Sequence, residues 1–214
     1  MPVQQWNAAQ TDASITISGS GLIATKASAS GTRARAFALN GVSTGKYYWE
    51  ITLRTVSQSL NCTVGVGNTS SAVNTVVVGG DTSTIGWWFA SSNAGEVDNN
   101  NALIATWATL SAGTNILCFA MDLTSATKVI WGRLENGSWS GSGLNTGNPV
   151  AGTLGLTVPA GVLAAPVVPA VGFSATTTPD GATGKFASAS WTYTAPSGFL
   201  SFDAMAWPPP VVSF

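Results

Sequence analysis

Alternate residues, rather than every third or fourth, carry the apolar side chains of this chain. In Lys46–Arg54, Tyr47, Trp49, Ile51 and Leu53 fall on one side, with Tyr48, Glu50, Thr52 and Arg54 on the other. Successive side chains of an extended backbone point to opposite faces, so a period of two marks a strand packed on a core. Asn61–Asn68 repeats the pattern, with Cys62, Val64 and Val66 alternating against Thr63, Gly65 and Gly67. Asn115–Leu123 is apolar on both faces, as expected of a strand covered on both sides. Lys128–Leu134 follows a short turn at Thr124–Thr127, which predicts a hairpin. It ends at Asn136-Gly137, a dipeptide suited to the φ > 0 positions of a tight turn.

Further strands are predicted at Ser14–Ser18, Gly21–Ala27, Ala34–Leu39, Thr84–Phe89, Val168–Ser174 and Ser190–Thr194. Clusters of Gly, Ser, Asn and Pro separate them, and no long window has the period of an amphipathic helix. The fold class expected is all-β, an antiparallel β-sandwich. Ser91–Asn101 and Ser140–Ala165 are the long loops. At 214 residues the chain suits one domain. We expect an N-terminal arm over 1–10, one sandwich over 11–206 and a Pro-rich tail over 207–214. Pro208-Pro209-Pro210 favours polyproline II and cannot enter a sheet interior.

Charge is scarce. Asp, Glu, Lys and Arg make up 8% of residues, against about 25% in an ordinary domain. A net charge of −1 offers no electrostatic footprint for nucleic acid or an anionic membrane. So uncharged a surface suits a chain that works inside an assembly. Met1–Gln10 lacks the basic and apolar regions of a secretory signal. The most apolar window, Val158–Phe173, is broken by Pro159, Pro166 and Pro169 and is too short for a membrane span. Cys62 and Cys118 are expected as buried free thiols, a disulfide remaining open if their strands are neighbours.

Several strands, in order, resemble the SPRY (B30.2-like) family. Gly45-Lys46-Tyr47-Tyr48-Trp49-Glu50-Ile51 is similar to its GKxYWEV strand, Val64-Gly65-Val66-Gly67 to VGVA, and Ile85-Gly86-Trp87-Trp88 to SxGW. Ile116 through Leu123 resembles IGVALDL, Val129-Ile130-Trp131 through Asn136-Gly137 resembles VxFxKNG, and Pro169–Phe173 resembles YPAVG. Asn136-Gly137-Ser138-Trp139 with Gly147–Gly152 is similar to the NGxW…GNPxxG hairpin and loop of bacteriophage-borne members. Tyr193–Phe199 resembles their YTPPSGF close, and Trp6-Asn7 fits their opening. Gly132-Arg133-Leu134-Glu135 and Gly113-Thr114-Asn115 depart from the family pattern at strand ends.

The resemblance covers roughly residues 6 to 204 and implies a concanavalin-like sandwich with no shared catalytic residues, whose loops bind protein, peptide or sometimes glycan. Its phage branch implies a virion component (head decoration, fibre or tail tip) made in the host cytoplasm. Its partners would be other virion proteins and, as a further option, a host-surface protein or glycan. Copies are expected to form a closed homo-oligomer, a trimer if fibre-like.

The chain has no histidine, which removes Ser-His-Asp and Cys-His nucleophiles and His metal sites. A carboxylate-only hydrolase would have to draw on Glu96, Asp98 and Asp122. Against that, Glu96 and Asp98 read as solvated loop residues and Asp122 as the residue closing the hairpin turn. Glu96-Val97-Asp98-Asn99-Asn100-Asn101 is oxygen-rich but lacks calcium-loop spacing, and its Asn run suits turns. No catalytic residue, metal or cofactor is therefore expected. Trp49, Trp131 and Trp191 are expected in the core; Trp87-Trp88 should place one ring on each face. Exposed Trp beside Asn and Ser is typical of glycan platforms and protein hot spots. The candidate partner-binding residues are thus Trp87, Trp88, Trp107, Arg133, Asn136 and Trp139. A carbohydrate-binding module stacking sugars on Trp87 or Trp88, Trp107 and Trp139 is the alternative. Arg33, Arg35, Arg54 and Arg133 are the arginines available for an interface.

Overall fold

A computed structural model describes residues 4–26, 33–54, 62–73, 76–89, 95–107, 115–173 and 180–204. The strands are β1 (Trp6–Thr11), β2 (Ile15–Ser18), β3 (Ile23–Lys26), β4 (Ala34–Ala38), β5 (Lys46–Arg54), β6 (Cys62–Asn68) and β7 (Thr84–Phe89). They continue as β8 (Glu96–Asn99), β9 (Ala102–Thr106), β10 (Asn115–Asp122), β11 (Val129–Leu134), β12 (Leu156–Thr157), β13 (Val167–Phe173) and β14 (Asp180–Lys185). Helical content among these residues is three single 3-10 turns, at Val162–Ala164, Ser188–Ser190 and Phe202–Ala204. Two seven-stranded sheets face each other, in the orders β1-β4-β13-β6-β7-β8-β9 and β12-β11-β10-β5-β14-β3-β2. Every ladder is antiparallel, so the all-β sandwich expected from the period of two is the fold observed.

The core lies between the sheets. Tyr47, Trp49, Ile51 and Leu53 of β5 point into it, as do Cys62, Val64 and Val66 of β6. Trp49 stacks on Phe119 (5.3 Å, 17°), and Trp87 meets the same Phe119 edge-on (5.1 Å, 72°). Such pairs add about 0.5–1.5 kcal/mol each beyond the area they bury.

The outer faces are covered as well, and alternation along a strand does not announce this. Over the first sheet, the segment through Val77-Val78-Gly79 lies so close that a Cβ on Gly86 would sit 2.0 Å from the Val78 carbonyl oxygen. A Cβ on Gly172 would meet the Val78 nitrogen at 2.7 Å. Over the second sheet a separate cluster forms from Tyr48, Cys118, Ala120, Val129, Trp131 and Phe199, with Trp139, Trp191 and Tyr193 packed against it. Trp131 is therefore buried, but outside the inter-sheet core. Cys62 and Cys118 are both buried, lie on different sheets and are not joined in a disulfide.

Several expectations are corrected. Residues 6–10, expected in an N-terminal arm, belong to β1: Trp6 is buried, donates its Nε1–H to Leu22 O (2.8 Å) and packs edge-on against Phe186 (5.1 Å). Ser190–Thr194 is no strand; it follows the 3-10 turn at Ser188–Ser190, and Trp191 is only half-buried. Glu96 and Asp98 lie on β8 and not in a loop, because Asn100 and Asn101 (φ +56° each) close a β8–β9 hairpin. Ser140–Ala165 contains β12 and the 3-10 turn at Val162–Ala164. In the turn after β11 the left-handed residue is Glu135 (φ +51°), one place before Asn136-Gly137. The Pro-rich tail, residues 207–214, and the Arg54 side chain fall outside the described residues.

Pro169 sits within β13, an interior strand, where a missing N–H is normally excluded. Its position explains the exception. Val167 N donates to Val42 O (2.8 Å), so the Pro169 nitrogen, two residues on, faces the same side. There it meets the gap between that isolated bridge and the first β13–β4 pair, Ala170↔Phe37.

Candidate functional site

The outer face of the second sheet carries a place where separated segments converge on an open cleft. Three neighbouring residues cross it in register: Glu50 on β5, Cys118 on β10 and Arg133 on β11. After β11 the chain turns at Glu135 and folds back, Gly132 and Ser140 exchanging both backbone hydrogen bonds (2.9 and 2.8 Å). That return lays Trp139 over the Arg133 guanidinium, 4.6 Å from ring centroid to Cζ.

The loop that follows forms the second wall. Gly147 N donates to Trp139 O (2.8 Å), and a Cβ on Gly147 would lie 2.6 Å from Trp131 Cδ1, so only glycine can lie there undisturbed. Asn148 Oδ1 accepts from Ala151 N (3.0 Å) and closes the turn through Pro149, while Trp131 donates Nε1–H to Thr153 O (3.0 Å).

The third wall is the segment leading to the described end of the chain, and Glu50 holds it. This carboxylate, fully buried, accepts from Tyr48 Oη (2.9 Å), Thr192 N (2.8 Å) and Tyr193 N (2.8 Å), with Lys185 Nζ at 3.7 Å. Arg133 Nη2 donates to Thr194 O (3.1 Å), and Tyr193 lies 5.9 Å from its guanidinium carbon. Between the walls is a cleft of about 480 Å³, lined by Arg133, Ser138, Trp139, residues 145–150, Thr194 and Pro196.

The electrostatics beneath the cleft favour neutral thiol and phenol. Burial pushes the Cys118 thiol up to about 11, Glu50 adding to the rise while Tyr48 and Arg133 oppose it. Burial likewise raises Tyr48, with Cys118 and Glu50 contributing. A thiolate nucleophile is not poised here. At the hairpin's other end, Asp122 closes the turn as expected, accepting from Thr124 N (2.8 Å) and Ser125 N (3.3 Å) and pairing with Lys46 (3.1 Å). Burial opposes ionisation there, but the Thr124 and Lys46 contacts outweigh it and hold the carboxyl below its ordinary value. Asp98 moves up, burial being the main cause. Asn99 and Asn101 spend their side-chain N–H groups on Thr84 O and Gly80 O (2.8 Å each), which ties the hairpin to the segment entering β7.

Of the residues expected at a binding surface, Arg133 and Trp139 meet in the cleft, and Asn136 stays exposed on the adjoining turn outside its lining. Trp87 and Trp107 do not belong to an open platform. They are 2% and 5% exposed and pack edge-on against each other (6.0 Å) in the core. Trp107 follows β9 inward onto Phe89 and Phe119. Trp88 is half-buried on the outside of the other sheet, so Trp87-Trp88 does put one ring on each face. Asn145, Asn148, Val150, Thr194 and Pro196 were not anticipated. The NGxW…GNPxxG pattern carried the signal for Asn148 and Val150; nothing in the sequence indicated Asn145, or that Glu50 would draw Thr194 and Pro196 alongside.

No protein-family model and no curated protein matches this sequence. Solved structures do match. The SPRY domain of human HERC1 is similar over 84% of this chain and 96% of its own length (TM-score 0.60, 16% identity). A human SPRY domain matches with TM-score 0.55 and 16% identity, covering 80% of this chain and 94% of that one. The TRIM65 PSpry domain matches with TM-score 0.55 and 12% identity, over 85% and 90% respectively. The chain therefore has a SPRY-like fold.

Proposed function

We propose that this SPRY-like sandwich is a non-catalytic binding and assembly domain that holds a partner protein in the cleft over the second sheet. One observation carries the reading. Two adjoining loop segments, Ser138-Trp139 and Gly147–Val150, close with the sequence-distant Thr194 and Pro196 around Arg133 into a single cleft. Loops fixed on a rigid sandwich are where such folds place recognition. The Arg–Trp pair is the residue chemistry that dominates protein interfaces.

The setting proposed is a bacteriophage particle, with other virion proteins as partners and the copies joined in a closed oligomer. Its support is the phage-type NGxW…GNPxxG and YTPPSGF motifs and a surface poor in charge. Among the described residues, Lys26, Arg35, Glu50, Asp98, Asp122 and Arg133 are buried, which leaves the exterior poorer still. A host-surface ligand at a tail tip fits the same cleft. The carbohydrate-module alternative loses two of its rings to the core. Mass spectrometry and a density map of purified particles test the setting. The chain is expected at constant stoichiometry with this cleft against a neighbouring protein; its absence from particles would overturn the virion role.

A further inference from the structure

We propose that the cleft takes a carboxylate, supplied by an Asp or Glu side chain on an extended segment of the partner protein, with Arg133 as its receptor. The inference rests on the reading of this cleft as the partner-binding surface.

Its lining holds one charged side chain, Arg133, and no Asp or Glu. Arg133 is 9% exposed, and a buried cation ordinarily has a counter-charge. Arg35, fully buried, has one, pairing with Asp81 (2.8 Å), and the half-buried Lys46 and Lys185 pair with Asp122 (3.1 Å) and Glu50 (3.7 Å). Among the described residues Arg133 makes no such ion pair. Its Nη2 serves the neutral Thr194 carbonyl, and its Nε, though buried, has no partner. The carboxylates nearby are committed or turned away. Glu50 already accepts from Tyr48, Thr192 and Tyr193, and Glu135 is exposed on the turn outside the lining.

Trp139 stacked on the guanidinium and Thr194 on its edge fix the orientation of the arginine, so little side-chain freedom is lost when a ligand arrives. Charge-assisted, bidentate bonds to a carboxylate are among the strongest hydrogen bonds that group forms. The rim favours a peptide over an acidic sugar. Leu144, Val150 and Leu154, on the loop that builds one wall, are 45%, 61% and 55% exposed and offer apolar contacts to flanking side chains. One face of Trp139, moreover, is already covered by the arginine.

The test is selection of random displayed heptapeptides on the full chain, followed by titration of the enriched peptides. Enriched sequences should share an Asp or Glu, and the matching Asn or Gln peptides should bind about tenfold more weakly. Arg133→Gln should erase that difference and Arg133→Lys should keep part of it. Because Arg133 also holds the third wall, a second variant on the exposed rim guards the test. Val150→Glu should weaken acidic peptides several-fold and Val150→Lys should strengthen them, both more at low salt. Peptides that compete at the cleft yet bind equally as acid and amide would overturn the carboxylate inference and leave the binding reading standing. Failure to enrich any peptide would count against the binding reading itself. Displacement by a sialylated oligosaccharide that depends on Arg133 would overturn the protein occupant.

Discussion

Glu50→Gln is the substitution that most sharply separates the architecture described here from an ordinary sandwich. A strand residue at this position would normally face solvent and tolerate the change. Here the carboxylate is fully buried and accepts from Tyr48 Oη and Tyr193 N on one oxygen and from Thr192 N on the other. Glutamine keeps the shape and one oxygen, but its amide N–H group must then face a donor. Retaining the Tyr48 and Tyr193 bonds forfeits that to Thr192. A hydrogen bond to a charged group is worth about 1.5–3 kcal/mol, and the orphaned donor adds a penalty of about 1–3 kcal/mol. The Lys185 contact, at 3.7 Å with a partly exposed lysine, adds no more than about 1 kcal/mol. The expected cost is about 3–5 kcal/mol, a fall in Tm of roughly 10 °C or more for a chain of this size. Calorimetry reads the global loss, and hydrogen exchange reads where it falls. Amides of Thr192, Tyr193 and their neighbours should exchange faster even where the inter-sheet core stays protected. A loss below about 1 kcal/mol, with exchange over 188–199 unchanged, would refute the claim that Glu50 fastens this segment.

Gly86→Ala should destabilise by about 3 kcal/mol or more in chemical denaturation, since its Cβ would press on the Val78 backbone at 2.0 Å. Gly152→Ala, at φ +69° with open space around it, should cost only about 1 kcal/mol; equal losses would contradict the covered outer face. The Asp98 carboxyl titrates above its ordinary value, so its ionisation penalises the fold as pH rises from the unfolded-state value through the folded one. Asp98→Asn should therefore raise stability at neutral pH and lose that gain below about pH 4; a constant gain across pH would rule the cause out. Cys62 and Cys118 should resist a thiol reagent at pH 8 until denaturant is added, and labelling of the native chain at the denatured rate would show that the sheets carrying them are open.

The strands with an alternating apolar face were legible because burial against one core imposes a period of two. Thr84–Phe89 carries its own bounds, and Lys46–Arg54 does the same. β14 was not legible. Asp-Gly-Ala-Thr-Gly-Lys has almost no apolar content, since Phe186 fills the space where a Gly184 side chain would stand (2.4 Å). Trp107 was expected at a binding surface for the reverse reason: a large ring in an otherwise unpatterned stretch is exposed only when no neighbouring strand carries it inward, and β9 does. Arg133 and Trp139 were named from composition and motif, and the hairpin return brought them together. Their relation to Thr194 and Pro196 depends on Glu50, more than a hundred residues away. A contact of that separation leaves no local pattern to read.

A photo-crosslinking residue placed at position 150, on the cleft rim, tests the account most directly when compared with one at position 163, which is exposed on the 3-10 turn against β6. In assembled material the account predicts covalent adducts to a partner protein from position 150 and few from position 163. Adducts confined to position 163, or equal from both, would contradict it.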